Sequence, residues 1–356
     1  MKLLKILLAL GLVITFIPSH FALASGTKTI DHYIPMDIDE EYWAFEEVDK
    51  FINADILDGY MDEDLNMTVQ PENKITRAQF TKILVNALGL KNSGKAKTFR
   101  DVKPSDWYYE YVNTASSLGI ISGKEDGRFA PNANITRDQM TKMIVLAFEK
   151  TVQFPDATKQ KFTDVDSEYW AFEFVNKAAA NGIVKGYGDL FKPRNLATRA
   201  QAIVMINRGL QQEQSSLVPQ EEIIGFLHDH IKAENRLVET SAYKELTALY
   251  EKNAAGFYKA EAAEYGMAAF LMDDEEGTFT AEIHDEELKL EVISASDRFV
   301  TVEATGMIGT FVYKSQDFNM DFTAKMDGAY HLKLDSNSGT WKIYHYLPFF
   351  DEEELY

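Results

Sequence analysis

Cysteine is absent from all 356 residues, so the chain can form neither a disulfide framework nor a lipid-attachment cysteine, and each domain must be held by its own apolar core. Basic residues are also scarce: 36 lysines and arginines face 56 aspartates and glutamates, a formal charge of −20. Long-range attraction to nucleic acid or to an anionic surface is thereby excluded as a global effect, and any anionic partner must be met by a few locally placed cations. No apolar run reaches the length of a membrane span. The longest, Ile6 to Ile17, follows Lys2 and Lys5 and precedes Ala22-Leu23-Ala24, the layout of a secretory signal peptide over residues 1–24. An exported mature chain of about 330 residues is expected, in two or three domains and with no membrane span after cleavage.

What the chain has in abundance is repetition. Asp37, Asp101 and Asp164 each precede a tryptophan by six residues (Trp43, Trp107, Trp170), and each tryptophan precedes a valine by five (Val48, Val112, Val175). Thirteen after each tryptophan stands Ile56, Ile120 or Ile183, and three further on stands Gly59, Gly123 or Gly186. Pro71, Pro131 and Pro193 lie six before Arg77, Arg137 and Arg199, and only the glycine-to-proline step varies, being 12, 8 and 7 positions. A variable loop between two rigid spacings predicts a helix, loop, helix unit in three copies, with the glycine at a helix end and the proline ahead of the second helix.

The second helix of each unit starts at a capping box, Thr76-Arg77-Ala78-Gln79, Thr136-Arg137-Asp138-Gln139 and Thr198-Arg199-Ala200-Gln201. Arginine then falls in the first turn, where a cation opposes the macrodipole. Three repetitions of an unfavourable choice suggest a role beyond helix stability, and free N–H groups beside a guanidinium would form an anion receptor.

These units resemble the S-layer homology module. The second gives Phe99-Arg100-Asp101-Val102, Trp107, Gly119-Ile120-Ile121-Ser122-Gly123, Asp126-Gly127-Arg128-Phe129-Ala130-Pro131 and Ile135-Thr136-Arg137, and the third gives Phe162-Thr163-Asp164-Val165, Trp170, Gly182-Ile183-Val184-Lys185-Gly186 and Phe191-Lys192-Pro193. The first departs most, with Pro35, Ile38 and Asp55 at three pattern positions, which puts its groove in doubt. The resemblance implies modules at 35–92, 97–150 and 160–210 that form an all-α pseudo-threefold trimer binding secondary cell-wall polymer in its inter-module grooves. It also implies a pyruvylated, anionic polymer gripped by Arg77, Arg137 and Arg199, with Gly59, Gly123 and Gly186 allowing close approach and Trp43, Trp107 and Trp170 lining the grooves. Plainer readings stand beside these. The arginines would be exposed and paired with nearby carboxylates, the tryptophans core residues, the glycines helix C-caps and the three aspartates N-caps of the first helices.

Asp62, Asp64 and Asn66 have calcium-loop spacing, but Met67 and Asn73 occupy the positions that need glycine and glutamate, so a solvated loop is expected and no metal or cofactor. Polar residues 211–220 read as a linker. Beyond it, helical spacing to about Met272 gives way to alternation from Gly277 onward, in at least five strands, with Asp335-Ser336-Asn337-Ser338-Gly339 as the last turn. This order, ending in Gly339-Thr340-Trp341-Lys342-Ile343, resembles the nuclear-transport-factor-2-like cone, an α+β domain over 221–356 with a curved antiparallel sheet. His228, His230, His284, His331 and His345 form no catalytic or zinc spacing and read as scattered surface or groove residues. The expectation is a multidomain protein anchored noncovalently to the bacterial cell wall, displaying a ligand-binding or interaction domain. The alternatives are an enzyme carried by the anchor or a component of a surface lattice.

Overall fold

The computed structural model describes residues 28–156, 159–213, 219–272, 277–316 and 319–349, with side chains omitted over 265–272; the signal-peptide expectation for 1–24 lies outside these residues. Among them no helix is long and apolar enough to cross a membrane. Three helix pairs come first: α1 (Phe45–Asn53) with α2 (Arg77–Ala87), α3 (Tyr109–Ser117) with α4 (Arg137–Phe148), and α5 (Phe172–Ala180) with α6 (Arg199–Gln211). Within the first pair, β1 (Tyr60–Met61) and β2 (Met67–Thr68) form a small hairpin. Its turn is closed by Asp62, whose carboxylate accepts from the amides of Asp64 and Asn66 and from the Asn66 side chain. The calcium-like spacing therefore serves a turn.

The second helices α2, α4 and α6 are buried on nearly every side and touch one another at the centre. Each packs outward on the first helix of another pair: α2 on α3, α4 on α5, α6 on α1. A pair cannot bury its own apolar stripe, so the three depend on one another. The contact closes into a ring of backbone bonds, from Ile135 N to Ile75 O (3.0 Å), from Ala197 N to Ile135 O (2.9 Å) and from Ile75 N to Ala197 O (3.1 Å). All three residues are fully buried, which shields these bonds from water.

The C-terminal half carries α7 (Gln220–Glu239), α8 (Tyr243–Asn253) and α9 (Gly256–Met272), then β3 (Gly277–His284), β4 (Lys289–Ala295), β5 (Phe299–Thr305), β6 (Ile308–Ser315), β7 (Asn319–Lys325), β8 (Gly328–Leu334) and β9 (Trp341–Pro348). The antiparallel orders are β3-β6-β7 and β4-β5-β8-β9. The chain passes directly from one sheet to the other three times, from β3 into β4, β5 into β6 and β7 into β8, across short links at 285–288, 306–307 and 326–327. Asp327 joins two of these links by accepting from the amide of Gly306, whose φ of +86° excludes most side chains. The α7 residues Ile223, Leu227 and Ile231 fill the hollow against Val300, Val302, Leu332 and Ile343. The last turn forms at the expected place, with Asp335 accepting from Gly339 N.

The two halves are packed together. Tyr344 and Ala260 belong to the core of the helical half, and Phe257 and Phe299 pack on it. Lys50 donates to Asn207 (3.1 Å) and lies 4.5 Å over the Phe299 ring, while Lys333 donates to the carbonyl of Ala54. His331 and His345 stack 5.6 Å apart at this junction. Burial, with Lys50 nearby, lowers His331 to about 4, and burial beside His331 lowers His345 to about 3. The unfolded chain takes up protons at these rings below about pH 6.5 while the folded chain refuses them. Their contribution to stability is thus complete above about pH 6.5 and is lost as the pH falls toward the folded values. Asp49, pushed up to about 6 by burial against the bond from Asn53, and Glu261, raised to about 7 by burial near Glu234, oppose them over the acid part of that window. Replacing His345 with Phe should flatten the stability profile between pH 6 and 4 by about 1.4 kcal/mol per pH unit, one proton's worth. Denaturant titrations at several pH values check this; parallel profiles for variant and parent would refute it.

Candidate functional site

Each arginine that the repeat places in a first turn is a buried staple between units. Arg77, Arg137 and Arg199 are only 8%, 4% and 4% exposed. Their Nε atoms donate to Phe129 O (2.8 Å), Phe191 O (3.0 Å) and Val69 O (2.8 Å), each on the next unit around the ring. Arg77 lies over the Phe129 ring and Arg137 over those of Phe191 and Tyr187, while Arg199 lies over Tyr60. The expected free amides are absent. Arg77 N and Ala78 N donate to Ala133 O and Pro131 O, and the equivalent amides of α4 and α6 donate to Asn195 O, Pro193 O, Asn73 O and Pro71 O. The third amide goes to the capping box at Thr76 and Thr198; in α4 Asp138, where the other units have alanine, takes the Gln139 amide instead. The neighbouring unit has therefore filled the anion receptor expected of the backbone, because the helix starts are where the units meet.

The aspartates are loop clamps, not N-caps. Asp37 accepts from Val69 N and Gln70 N, Asp101 from Phe129 N and Ala130 N, Asp164 from Phe191 N and Lys192 N, all at 2.7–2.8 Å. Gln70, Ala130 and Lys192 have φ of +54° to +58°, so two charge-assisted bonds hold each left-handed turn. The clamp presents the very carbonyl that the arginine of the preceding unit reaches. The shared spacing already carried this signal, yet spacing alone cannot tell a cap from a clamp.

Gly59, Gly123 and Gly186 are not helix C-caps, since the helices of their units end several residues earlier and only Gly123 has positive φ. A Cβ would lie 2.1 Å from Met67 Sδ at Gly59, 2.4 Å from the Phe99 ring at Gly123 and 2.3 Å from the Phe162 ring at Gly186. Close packing fixes their type, against the opening phenylalanine of the unit at Gly123 and Gly186 and against Met67 of β2 at Gly59.

The tryptophans are outward-facing: Trp43, Trp107 and Trp170 are 55%, 55% and 51% exposed. Trp107 and Trp170 stand where the units that Arg77 and Arg137 staple meet, each beside a lysine of the preceding unit. Lys82 Nζ lies 6.0 Å from the Trp107 ring and 5.8 Å from Tyr111; Lys142 Nζ lies 5.7 Å from Trp170 and 5.4 Å from Phe174. Both lysines stand five residues after their arginine, an offset at which the third unit has Val204. Sequence reading missed these lysines because only two of three copies carry them. A cation beside an exposed indole, with a buried guanidinium behind it, can stack a sugar ring and meet a negative group on it.

In the C-terminal half three of the five histidines are not scattered on the surface. His230 is buried, its Nδ1 3.2 Å from Asn253 Nδ2 and its Nε2 3.2 Å from Tyr258 Oη. Tyr258 and Tyr250 both donate to Glu234, at 2.8 Å and 2.6 Å. Burial keeps His230 below its ordinary range, and raises Glu261 to about 7 with Glu234 nearby. His331 and His345 lie at the junction of the halves, while His228 and His284 are exposed. Among the described residues no cluster of His, Asp or Glu is arranged to hold a metal.

Residues 98–141 and 161–203 match the S-layer homology domain. The chain is 31% identical over 149 residues to the cellulosome-anchoring protein of Acetivibrio thermocellus, covering 40% of this chain and 33% of that protein. It is 33% identical over 145 residues to the surface-layer 125 kDa protein of Lysinibacillus sphaericus, covering 40% and 12%. To an endoglucanase of a Bacillus species it is 32% identical over 214 residues, covering 58% and 22%. The chain thus spans a third or less of the length of each of these relatives.

Proposed function

We propose that this exported cell-surface protein, which carries S-layer homology segments, is held noncovalently on the cell wall by secondary cell-wall polymer bound at the junctions between its helical units. The observation that carries the reading is the half-exposed tryptophan that recurs in each unit, in two of the three beside a lysine of the preceding unit. Residues 35–92 are taken as a third module, the three forming a pseudo-threefold trimer. The ring through Ile75, Ile135 and Ala197 supports this, as does the aspartate clamp present in all three units, including the one whose sequence departs most. The polymer is a pyruvylated, anionic one. Trp43, Trp107 and Trp170 stack its sugars; Arg77, Arg137 and Arg199 set the charge and shape of the groove floor; and Gly59, Gly123 and Gly186 keep the floor low. The names of the anchoring and surface-layer relatives agree with a place at the cell surface. Residues 221–356 form a cone-like domain of nuclear-transport-factor-2 type, as the two antiparallel sheets joined by three short links, one of them packed on α7, support, and it is displayed for interaction.

Changing Trp43, Trp107 and Trp170 together to alanine in the full chain tests the anchor. Loss of a stack worth about 1.4 kcal/mol weakens a site about tenfold, so the triple variant should fail to sediment with purified cell walls that retain the parent. Its melting temperature should stay within a few degrees, since exposed rings contribute little to the core. Retention equal to the parent's would sink the reading.

A further inference from the structure

The three junctions share a frame but differ in the groups around it. At the junction of the first and second units, Lys82 is tied to Asp58 at 2.6 Å, and Lys28 reaches the same carboxylate at 2.8 Å. Although burial pushes the Asp58 carboxyl up, the bonds from Lys28 and Lys82 outweigh it and hold it at about 2, so that cation is met at any ordinary pH. The place of Asp58 is taken by Ser122 in the second unit. Lys142 consequently has no hydrogen-bond or ion-pair partner among the described residues, although it is half-buried between the rings of Trp170 and Phe174. At the junction of the third and first units the lysine is replaced by Val204, and Glu47 stands where Tyr111 and Phe174 stand elsewhere.

The arginines set the junction of the third and first units apart from the other two: Arg77 uses Nε on Phe129 O and Nη1 on Gln139 Oε1, and its Nη2 has no protein acceptor among the described residues. Arg199 has every nitrogen engaged by protein: Nε by Val69 O, Nη1 by Tyr60 Oη and Nη2 by Asp58 O. Arg137 uses Nε and Nη2, on Phe191 O and Lys185 O, and its Nη1 has no protein acceptor among the described residues. The third unit's loop adds Lys192, 4.4 Å from the Tyr187 ring over which Arg137 also lies.

Resting on the wall-polymer reading above, we propose that the junctions are unequal receptors: an anionic sugar residue binds at the junction of the second and third units, and Lys142 selects its charge. The junction of the first and second units is held back by Asp58, and that of the third and first units takes no anion. A partly desolvated cation without a counter-charge is the group that gains most from an arriving carboxylate, because its desolvation has already been met in the folded state. The flanking Trp170 face lets one sugar bring both its ring and its charge to the same place.

The test is calorimetric titration of the full chain with a methyl hexoside bearing a 4,6-pyruvate ketal and, separately, with its uncharged methyl ester. The parent should bind the acid at a single site at least tenfold more tightly than the ester. Changing Lys142 to Gln should abolish that preference. Replacing Asp58 with Asn frees Lys82, and the stoichiometry should then rise from one to two. Thermal melts guard against a folding defect in any variant. Retained preference in the Lys142 variant, unchanged stoichiometry in the Asp58 variant or failure of the parent to bind the acid would each overturn the proposal. Cosedimentation of the parent with cell walls separates the two readings: if walls still retain it, the junction assignment alone has failed.

Discussion

Replacing Arg298 with alanine is expected to lower the stability of the whole chain by about 3–5 kcal/mol, the usual cost of leaving a buried charge without its partner. Arg298 belongs to the turn between β4 and β5, yet its contacts lie in the helical half. Its Nε donates to both carboxylate oxygens of Glu213, at 3.2 and 3.1 Å, and its Nη1 donates to Leu88 O at 2.5 Å. The Glu213 side chain has no solvent exposure and also accepts from Thr151 Oγ1 at 2.7 Å. Leu88 and Glu213 follow the C-terminal ends of α2 and α6, so the guanidinium reaches the negative ends of two central helices, while the end of α4 is tied to it only through the bond from Thr151 to Glu213. For a unit of this size the change amounts to a melting temperature roughly 10 °C lower. The parent should unfold in one transition and the variant in two, because the charged tie that adds to the packing between the halves is gone. Arg298→Lys should recover part of the loss. The double change Arg298→Met with Glu213→Leu should recover more, since it removes both charges. A single variant that melts like the parent would mean that the halves are independent.

The second large effect is expected from Arg137→Ala, at about 3–5 kcal/mol of stability. Two charge-assisted bonds, each worth roughly 1.5–3 kcal/mol, are lost. The carbonyls of Phe191 and Lys185 are left buried or half-buried without that donor, and the ring of Phe191 loses the guanidinium 4.7 Å away. Arg137→Lys should restore less than half, because one ammonium cannot span two carbonyls as the planar fork does. This reverses what the sequence alone implies, that removing a cation from a helix start leaves the helix no worse. Equilibrium denaturation decides, and an unchanged midpoint would return the arginine to the role of a surface residue.

How much was legible can be followed through particular residues. Thr76 and Thr198 announced their capping boxes because a cap depends on residues within four positions, and both boxes form. Thr136 shows the limit of that rule: its box gives way to Asp138, a substitution two residues away whose carboxylate also receives the Tyr169 hydroxyl from the next unit. The tryptophans, arginines and aspartates were found by their spacing, yet their surroundings were not. Trp107 proved exposed, Arg137 buried and Asp101 a clamp on a turn 28 residues onward.

By itself the sequence determined where the second helix of each unit starts, that the unit recurs three times and that alternation takes over near Gly277, because these depend on local propensity and on periods of 3.6 and 2 residues. The tertiary structure decided which neighbour each unit leans on. Ile75, Ile135 and Ala197 close a ring, Arg298 crosses from one half to the other, and Lys142 is left without a counter-charge where Lys82 has Asp58. Those outcomes turn on distances between residues dozens to hundreds of positions apart, and on how much water remains between them. A linear pattern names the groups; burial and pairing set their energies and so decide whether a charge holds the fold together or waits for a ligand.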